Sequence, residues 1–160
     1  MKSMQIVRFI ISLAVCFGAS GIGALFMSND SVRNWYGQLQ KPSITPPDWV
    51  FGPAWTILYI MMAISIAIIW GKGLGHPKVK LAVCLFIIQL TLNALWTPLF
   101  FGYHLILAAL IDIVLLFFAI FATIIVFKGI SLYASILLIP YLIWVGFAAL
   151  LIGLIWQLNR

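Results

Sequence analysis

The stretch LILAALIDIVLLFFAIFATIIVF, residues 105–127, holds only two polar side chains, Asp112 and Thr123. A helix needs about 20 mostly apolar residues to cross the hydrocarbon core of a bilayer, so this stretch reads as a transmembrane helix. Working outward, residues 80–101 and 131–156 on either side, and 49–70 and 6–27 before them, qualify by the same measure. The chain of 160 residues is 65% hydrophobic and only 8% charged, against roughly a quarter charged in an ordinary soluble domain. A soluble globule of this size could not cover its surface with so few polar groups. The reading is therefore an all-α integral membrane protein, a five-helix bundle forming a single domain over residues 1–160.

The first span follows Lys2 and ends in small residues, so a cleaved signal peptide must be weighed. Its apolar run is long for that, Arg8 sits at its edge, and Cys16 in "LAVC" makes a poor lipoprotein cleavage site. It is expected to stay as a helix. Its "GASGIGA" (residues 18–24) contains small pairs, Ala14/Gly18 and Ser20/Ala24, that let helix backbones approach closely in lipid. Packing within the bundle and dimerisation both fit them. The longest loop, residues 28–48, carries Trp35 and Tyr36, which with Trp49 suit an interfacial aromatic belt. Thr45-Pro46-Pro47-Asp48 reads as a helix start with Thr45 as N-cap, prolines in the first turn, and a carboxylate facing the free backbone N–H groups. Pro140, inside the fifth span, should kink it.

There is no Glu, and the acids are Asp30, Asp48 and Asp112, so the net charge of +6 reflects scarce acids. The basic residues form no cluster of the kind nucleic-acid binding needs, and attraction to anionic headgroups accounts for them better. Lys2, Arg8, Lys72, Lys78, Lys80 and Lys128 fall on one side of the membrane, against Arg33, Lys41 and Arg160 on the other. That bias places the N-terminus in the cytoplasm of a multi-pass cell-membrane protein. Cys16 and Cys84 lie in apolar segments and read as small buried hydrophobes, and no metal site can be built from them. No lysine lies inside a span to carry a retinal-type Schiff base. His76 and His104 sit in or beside loops, which argues against haem held by two buried histidines. No membrane Glu is present for a small proton-coupled exporter, and no HExxH, GxSxG or P-loop pattern occurs.

Polar side chains at membrane depth are costly, so those that remain are informative. Gln89, Asn93, Trp96 and Phe100 recur at helical spacing on one face of the third span, with Thr97 beside them. Such a face should point into the bundle, either for helix–helix hydrogen bonding or to line a ligand pocket. Asp112 has no Lys or Arg at similar depth and should hydrogen-bond inward, in a structural, proton-relay or ligand role. Trp49, Trp55, Trp96 and Trp144 lie on three different spans and could converge on one cavity suited to a large, flat, apolar ligand. Belt anchoring is the competing reading, and the natural one for Trp70 and Trp156 at span ends.

These residues resemble a known family. "WYGQLQKPSITPPDWVFGPAWTILY" (Trp35 to Tyr59) is similar to the signature of the TspO/MBR family, also called the translocator protein, peripheral-type benzodiazepine receptor or tryptophan-rich sensory protein family. "QLTLNALWTPLFFG" (Gln89 to Gly102) resembles its third helix, Asp112 its fourth, and "PYLIWVGFAALL" (Pro140 to Leu151) its fifth. The resemblance implies a five-helix bundle whose ligand cavity is closed by the long first loop. It implies binding of porphyrins and drug-like flat ligands and, in some bacterial members, light-dependent oxidative breakdown of protoporphyrin. Carried onto this chain, the pocket residues are Trp55, Asn93, Trp96, Trp144, Ala148 and Leu151, with Pro47 and Trp49 in the lid region and Gln89 on the same stripe. Gly153 and Gln157 stand where animal members carry the Tyr and Arg of a cholesterol-recognition pattern, so the resemblance is to a bacterial-type member and does not extend to sterol.

The function expected is that of a membrane receptor for porphyrins, acting in tetrapyrrole sensing, handling or degradation. Porphyrin is then a ligand rather than an obligate cofactor, and the partners are an apolar small molecule and the bilayer, with a second copy in a homodimer left open by the small-residue pairs of the first span. No acid/base pair supports ordinary enzymology. If chemistry occurs, Trp96 and Trp144 are the oxidisable residues. The rival readings are a transporter of tetrapyrroles or other apolar solutes, against which the absence of an inverted repeat weighs, and a scaffold with an incidental pocket.

Overall fold

Hydrocarbon offers the backbone no hydrogen-bond partners, so each membrane-crossing segment must close its own ladder, and a helix does so locally. The structure, a computed structural model, describes residues 2–27 and 30–160, the side chains of Lys2, Ser3, Asp30, Ser31 and Arg33 excepted. Ser28 and Asn29 at the head of the long loop, and the Lys2 and Arg33 side chains of the charge count, lie outside the described residues. The helices are α1 (Lys2–Ala24), α2 (Phe51–Trp70), α3 (Pro77–Thr97), α4 (Ile106–Lys128), α5 (Leu132–Leu137) and α6 (Ile139–Leu158). They give five candidate spans, Met4–Ala24, Asp48–Trp70, Pro77–Gly102, Ile106–Lys128 and Leu132–Leu158. The protein is a five-span all-α membrane bundle, with limits within a few residues of those expected. Helix α1 lies against α2 and α3, α3 against α4, and α4 against α6, while α5 packs on α2 and α4.

The start of the second span differs from the sequence reading. Thr45 is not its cap: its Oγ1 donates to the Pro42 carbonyl at 2.7 Å, and the helical path begins with a 3-10 turn at Asp48–Val50. Residues before proline are pushed out of the α region, so Thr45 and Pro46 resist the helix. Pro47 is itself extended, at φ −57° and ψ 144°. Pro53 falls in the first turn of α2, where its missing N–H has no cost.

The fifth span is interrupted rather than merely kinked. Helix α5 stops at Leu137 and α6 begins at Ile139, with Pro140 in its first turn. A proline ring clashes with the carbonyl four residues back and lacks the donor that would reach it. The amide of Leu138 accordingly turns to the Ser135 carbonyl at 3.1 Å. That leaves the Ala134 carbonyl free, and Ser65 of α2 donates its buried hydroxyl to it at 2.7 Å. A break in one span is thus satisfied by a side chain of another. At the end of the third span Pro98 opens a π-helical turn, Pro98–Gly102, closed by the Tyr103 amide on the Pro98 carbonyl at 2.8 Å.

Within "GASGIGA" the close approach is made at one residue. A Cβ on Gly23 would lie 3.0 Å from Thr97 Oγ1 and 3.2 Å from Thr97 Cβ, whereas one on Gly18 or Gly21 would meet nothing within 4 Å. Ala14 and Gly18 are exposed, so that pair does not pack within the bundle. Gly23→Leu is expected to force α1 from α3 and cost about 1–3 kcal/mol, lowering the thermal midpoint in detergent, while Gly18→Ala should leave it unchanged.

Candidate functional site

A cavity of about 510 Å³ lies at the end of the bundle where α2 and α4 begin and α3 ends. Helix α1 contributes Phe17, Ser20 and Gly23, α2 Phe51, Trp55 and Tyr59, α3 Asn93 and Trp96, α4 Ile113 and Leu116, and α6 Trp144, Ala148 and Leu151. The long loop closes it with Val32, Tyr36 and Asp48.

Asn93 sits on the floor. Its side-chain oxygen accepts from the Tyr59 hydroxyl and its Nδ2 donates to the Tyr141 hydroxyl at 3.0 Å. Tyr141 is fully buried and Asn93 is 6% exposed. Both ends of the amide are satisfied, so a polar group at membrane depth ties α2, α3 and α6 together without an orphaned partner. Trp55 lies over this bridge, its ring centroid 5.6 Å from Tyr59 and 6.2 Å from Tyr141.

The walls are aromatic. Trp96 stacks on Phe100 with centroids 5.1 Å apart and planes at 13°. Its indole nitrogen is buried with no hydrogen-bond partner among the described residues. Trp144 meets Phe51 edge-on at 5.9 Å. Indole faces carry a large apolar area with one polar handle, the chemistry expected for gripping a flat ring.

The lid is a π-helical turn, Asp30–Tyr36, packed on the π turn that ends the third span. Trp35 stacks on His104 at 4.2 Å and meets Phe100 edge-on at 5.1 Å. His104 adopts φ +57°, a left-handed backbone that is uncommon for a residue with a Cβ. Tyr36 lies edge-on to Phe101 at 5.6 Å, with Lys41 Nζ 4.2 Å from its ring centre. Burial, and then the nearby Asp48 carboxylate, push the Tyr36 phenol above its ordinary pKa, keeping it a neutral hydroxyl at the cavity wall. Further along, Asn159 clamps the loop backbone: Gln40 N–H donates to Asn159 Oδ1 at 3.0 Å and Asn159 Nδ2 donates to the Gln40 carbonyl at 2.9 Å. Trp35 and Tyr36 are therefore half-buried and packed on the end of the third span.

Of the residues singled out in the sequence, Trp55, Asn93, Trp96, Trp144, Ala148 and Leu151 border this cavity, and Pro47, Trp49 and Gln89 do not. Trp49 follows the cavity-lining Asp48, and one step along a helical path turns it outward, where it is 75% exposed. Pro47 is exposed on the loop. Gln89 lies one turn further from the lid than Asn93, where the helices close on one another. It is 1% exposed, and neither its Oε1 nor its Nε2 has a hydrogen-bond partner among the described residues. Asp112 is 4% exposed, and its Oδ2 is likewise unpartnered, contrary to the expected inward hydrogen bond. Sequence reading passed over Tyr59 and Tyr141. Each is a hydroxyl deep in an apolar span and so needs a partner, which is the signal that could have paired them with Asn93.

Two outcomes follow from this geometry. Asn93→Leu is expected to remove the amide's bonds to both tyrosine hydroxyls and cost about 1–3 kcal/mol, read as a lowered thermal midpoint, with Tyr59→Phe milder. Asn159→Ala should quicken hydrogen exchange at the Gln40 amide without lowering that midpoint to the same extent.

The comparisons agree across the chain. A profile of the TspO/MBR family matches residues 10–157. The tryptophan-rich protein TspO of Chlorobaculum tepidum is 45% identical over 153 residues, covering 94% of this chain and 97% of the relative. Protein CrtK of Rhodobacter capsulatus is 36% identical, covering 98% of this chain and 95% of the relative. The human translocator protein is 39% identical, covering 87% and 82%. A polytopic helical bundle with this loop, this third-helix stripe and these relatives is a member of the TspO/MBR family.

Proposed function

We propose that the protein binds porphyrins and related flat tetrapyrroles in the cavity beneath the long loop, and serves in their sensing, handling or light-dependent oxidative degradation. The observation that carries this reading is the convergence of Trp55, Trp96 and Trp144, from three spans, on one cavity floored by the Tyr59–Asn93–Tyr141 bridge. A volume of about 510 Å³ lies within the range of roughly 300–1,000 Å³ usual for small-molecule sites. The walls bury an aromatic plate, and Asn93 and Tyr59 offer orienting contacts. Trp96 and Trp144 are the indoles placed to be oxidised in any photochemical step. Within the same reading the N-terminus faces the cytoplasm of the cell membrane, because the end of the bundle holding Arg8, Lys72, Lys78, Lys80 and Lys128 is the more basic. An active cytoplasmic reporter fused to the C-terminus would overturn that orientation.

Titration of the detergent-solubilised protein with protoporphyrin, followed by tryptophan fluorescence in the dark, tests binding. Trp96→Phe and Trp144→Phe should each weaken it by about tenfold or less, since aromatic pairing beyond area burial is worth roughly 0.5–1.5 kcal/mol. Photodegradation measured alongside should fall further than binding, because phenylalanine keeps the shape but is harder to oxidise. Unchanged binding in folded Trp96→Ala and Trp144→Ala proteins would place the ligand elsewhere. Flux of protoporphyrin across proteoliposomes, without degradation, would favour the transporter reading.

A further inference from the structure

We propose that a second cleft, between the beginning of α1 and the end of α2, binds the phosphate headgroup of an anionic phospholipid. This cleft, of about 420 Å³, is bordered by Gln5, Arg8 and Phe9 on α1 and by Ile68, Gly71 and Lys72 at the end of α2. It lies at the opposite end of the bundle from the tetrapyrrole cavity and shares no residue with it.

The cation at its centre is held but not neutralised. Arg8 is half-buried, and its Nη1 donates to the Gly71 carbonyl at 3.3 Å. A guanidinium has five donors in a planar fork, so most of the fork stays available, with the exposed Lys72 on the same rim. The position of Gly71 permits this arrangement: a Cβ there would lie 3.3 Å from Arg8 Nη1 and 2.9 Å from the Ala67 carbonyl. Among the described residues no carboxylate lies at the cleft. Asp48 begins the second span that Gly71 ends, Asp112 lies near the start of α4, and Asp30 lies in the long loop, all toward the far end. A fork of charged donors beside an ammonium matches the two unesterified oxygens of a phosphodiester.

The surroundings favour a lipid over a free anion. Below the basic rim the cleft is walled by Phe9 and Ile68, which give an inorganic ion nothing but desolvation. Ile6 and Ile10 alongside are 58% and 57% exposed, an apolar strip on which acyl chains can lie. Trp70 closes the end of α2 one residue before Gly71, the span-end position at which tryptophans are enriched near the headgroups, and its indole N–H is tied inward to Ser12 Oγ at 3.2 Å.

The test is native mass spectrometry of the full chain in detergent with equal amounts of phosphatidylglycerol and phosphatidylcholine. The expected result is retention of phosphatidylglycerol over phosphatidylcholine. Arg8→Gln and Lys72→Gln should each lower its occupancy about fivefold, while Lys128→Gln, at the same end of the bundle but on α4, should change it less than twofold. Lys72 is exposed and bears no packing, so its variant decides the matter even if Arg8→Gln misfolds. A phosphatidylglycerol preference unchanged in Lys72→Gln, or equally lost in Lys128→Gln, overturns the site in favour of diffuse attraction. Displacement of phosphatidylglycerol by equimolar inorganic phosphate would overturn the lipid as its occupant.

Discussion

A primary amide buried in a membrane bundle has two acceptor positions and two donors to satisfy, and lipid supplies neither. Asn93 gives its oxygen one donor and its nitrogen one acceptor by drawing Tyr59 and Tyr141 to it from two other helices. The consequence is geometric. Three spans are held at the distance set by two hydrogen bonds, and the space above the bridge cannot close by simple collapse of apolar side chains. Trp55 packs on the bridge, Trp96 stands one turn along from Asn93, and Trp144 one turn along from Tyr141, so the aromatic walls take their positions from the same polar contact. A cavity in a lipid-embedded helical protein needs something to prop it open, and here the prop also supplies polar groups for a ligand.

The loop above the cavity is structured by the same economy of contacts. Its aromatic residues pack on the π turn at the end of the third span, and Asn159 pairs with the backbone of Gln40. The π turn follows from Pro98, which cannot extend the α-helical ladder of α3. The lid is thus seated on an irregularity that the chain carries for a covalent reason. The break before Pro140 works similarly: the carbonyl freed by proline is taken up by Ser65, locking α5 to α2. Each irregular backbone site lies at a helix–helix or loop–helix contact, where protein groups can satisfy what lipid cannot.

The two ends of the bundle differ in chemistry. Around the loop lie aromatic rings, the Asp48 carboxylate and the aromatic-walled cavity. At the other end lie Arg8, Lys72, Lys78, Lys80 and Lys128, with no acid among the described residues. The Arg8–Gly71 contact shows that this basic character is organised locally at the α1–α2 seam, where a glycine makes room for a guanidinium.

Fold class was legible in the sequence because crossing hydrocarbon imposes a requirement on composition itself: five long apolar runs, such as residues 105–127, have few alternatives to five helices. Asn93, Trp96 and Phe100 could be assigned to one face for a similar reason, since helical periodicity is local. What surrounds that face was not local. Gln89 shares the stripe with Asn93 yet lies outside the cavity, because one turn of rise carries it into the region where the helices close. Trp49 and Asp48 are adjacent in sequence, but only Asp48 borders the cavity, a difference set by how the 3-10 turn before α2 is rotated against its neighbours. Thr45 carries the local signature of a cap, and two prolines between it and the helix override it. The Tyr59–Asn93–Tyr141 bridge joins residues 34 and 48 positions apart. Hydrophobic patterning states which residues avoid water; it leaves open which buried polar groups find one another, and only the tertiary packing of three spans decided that.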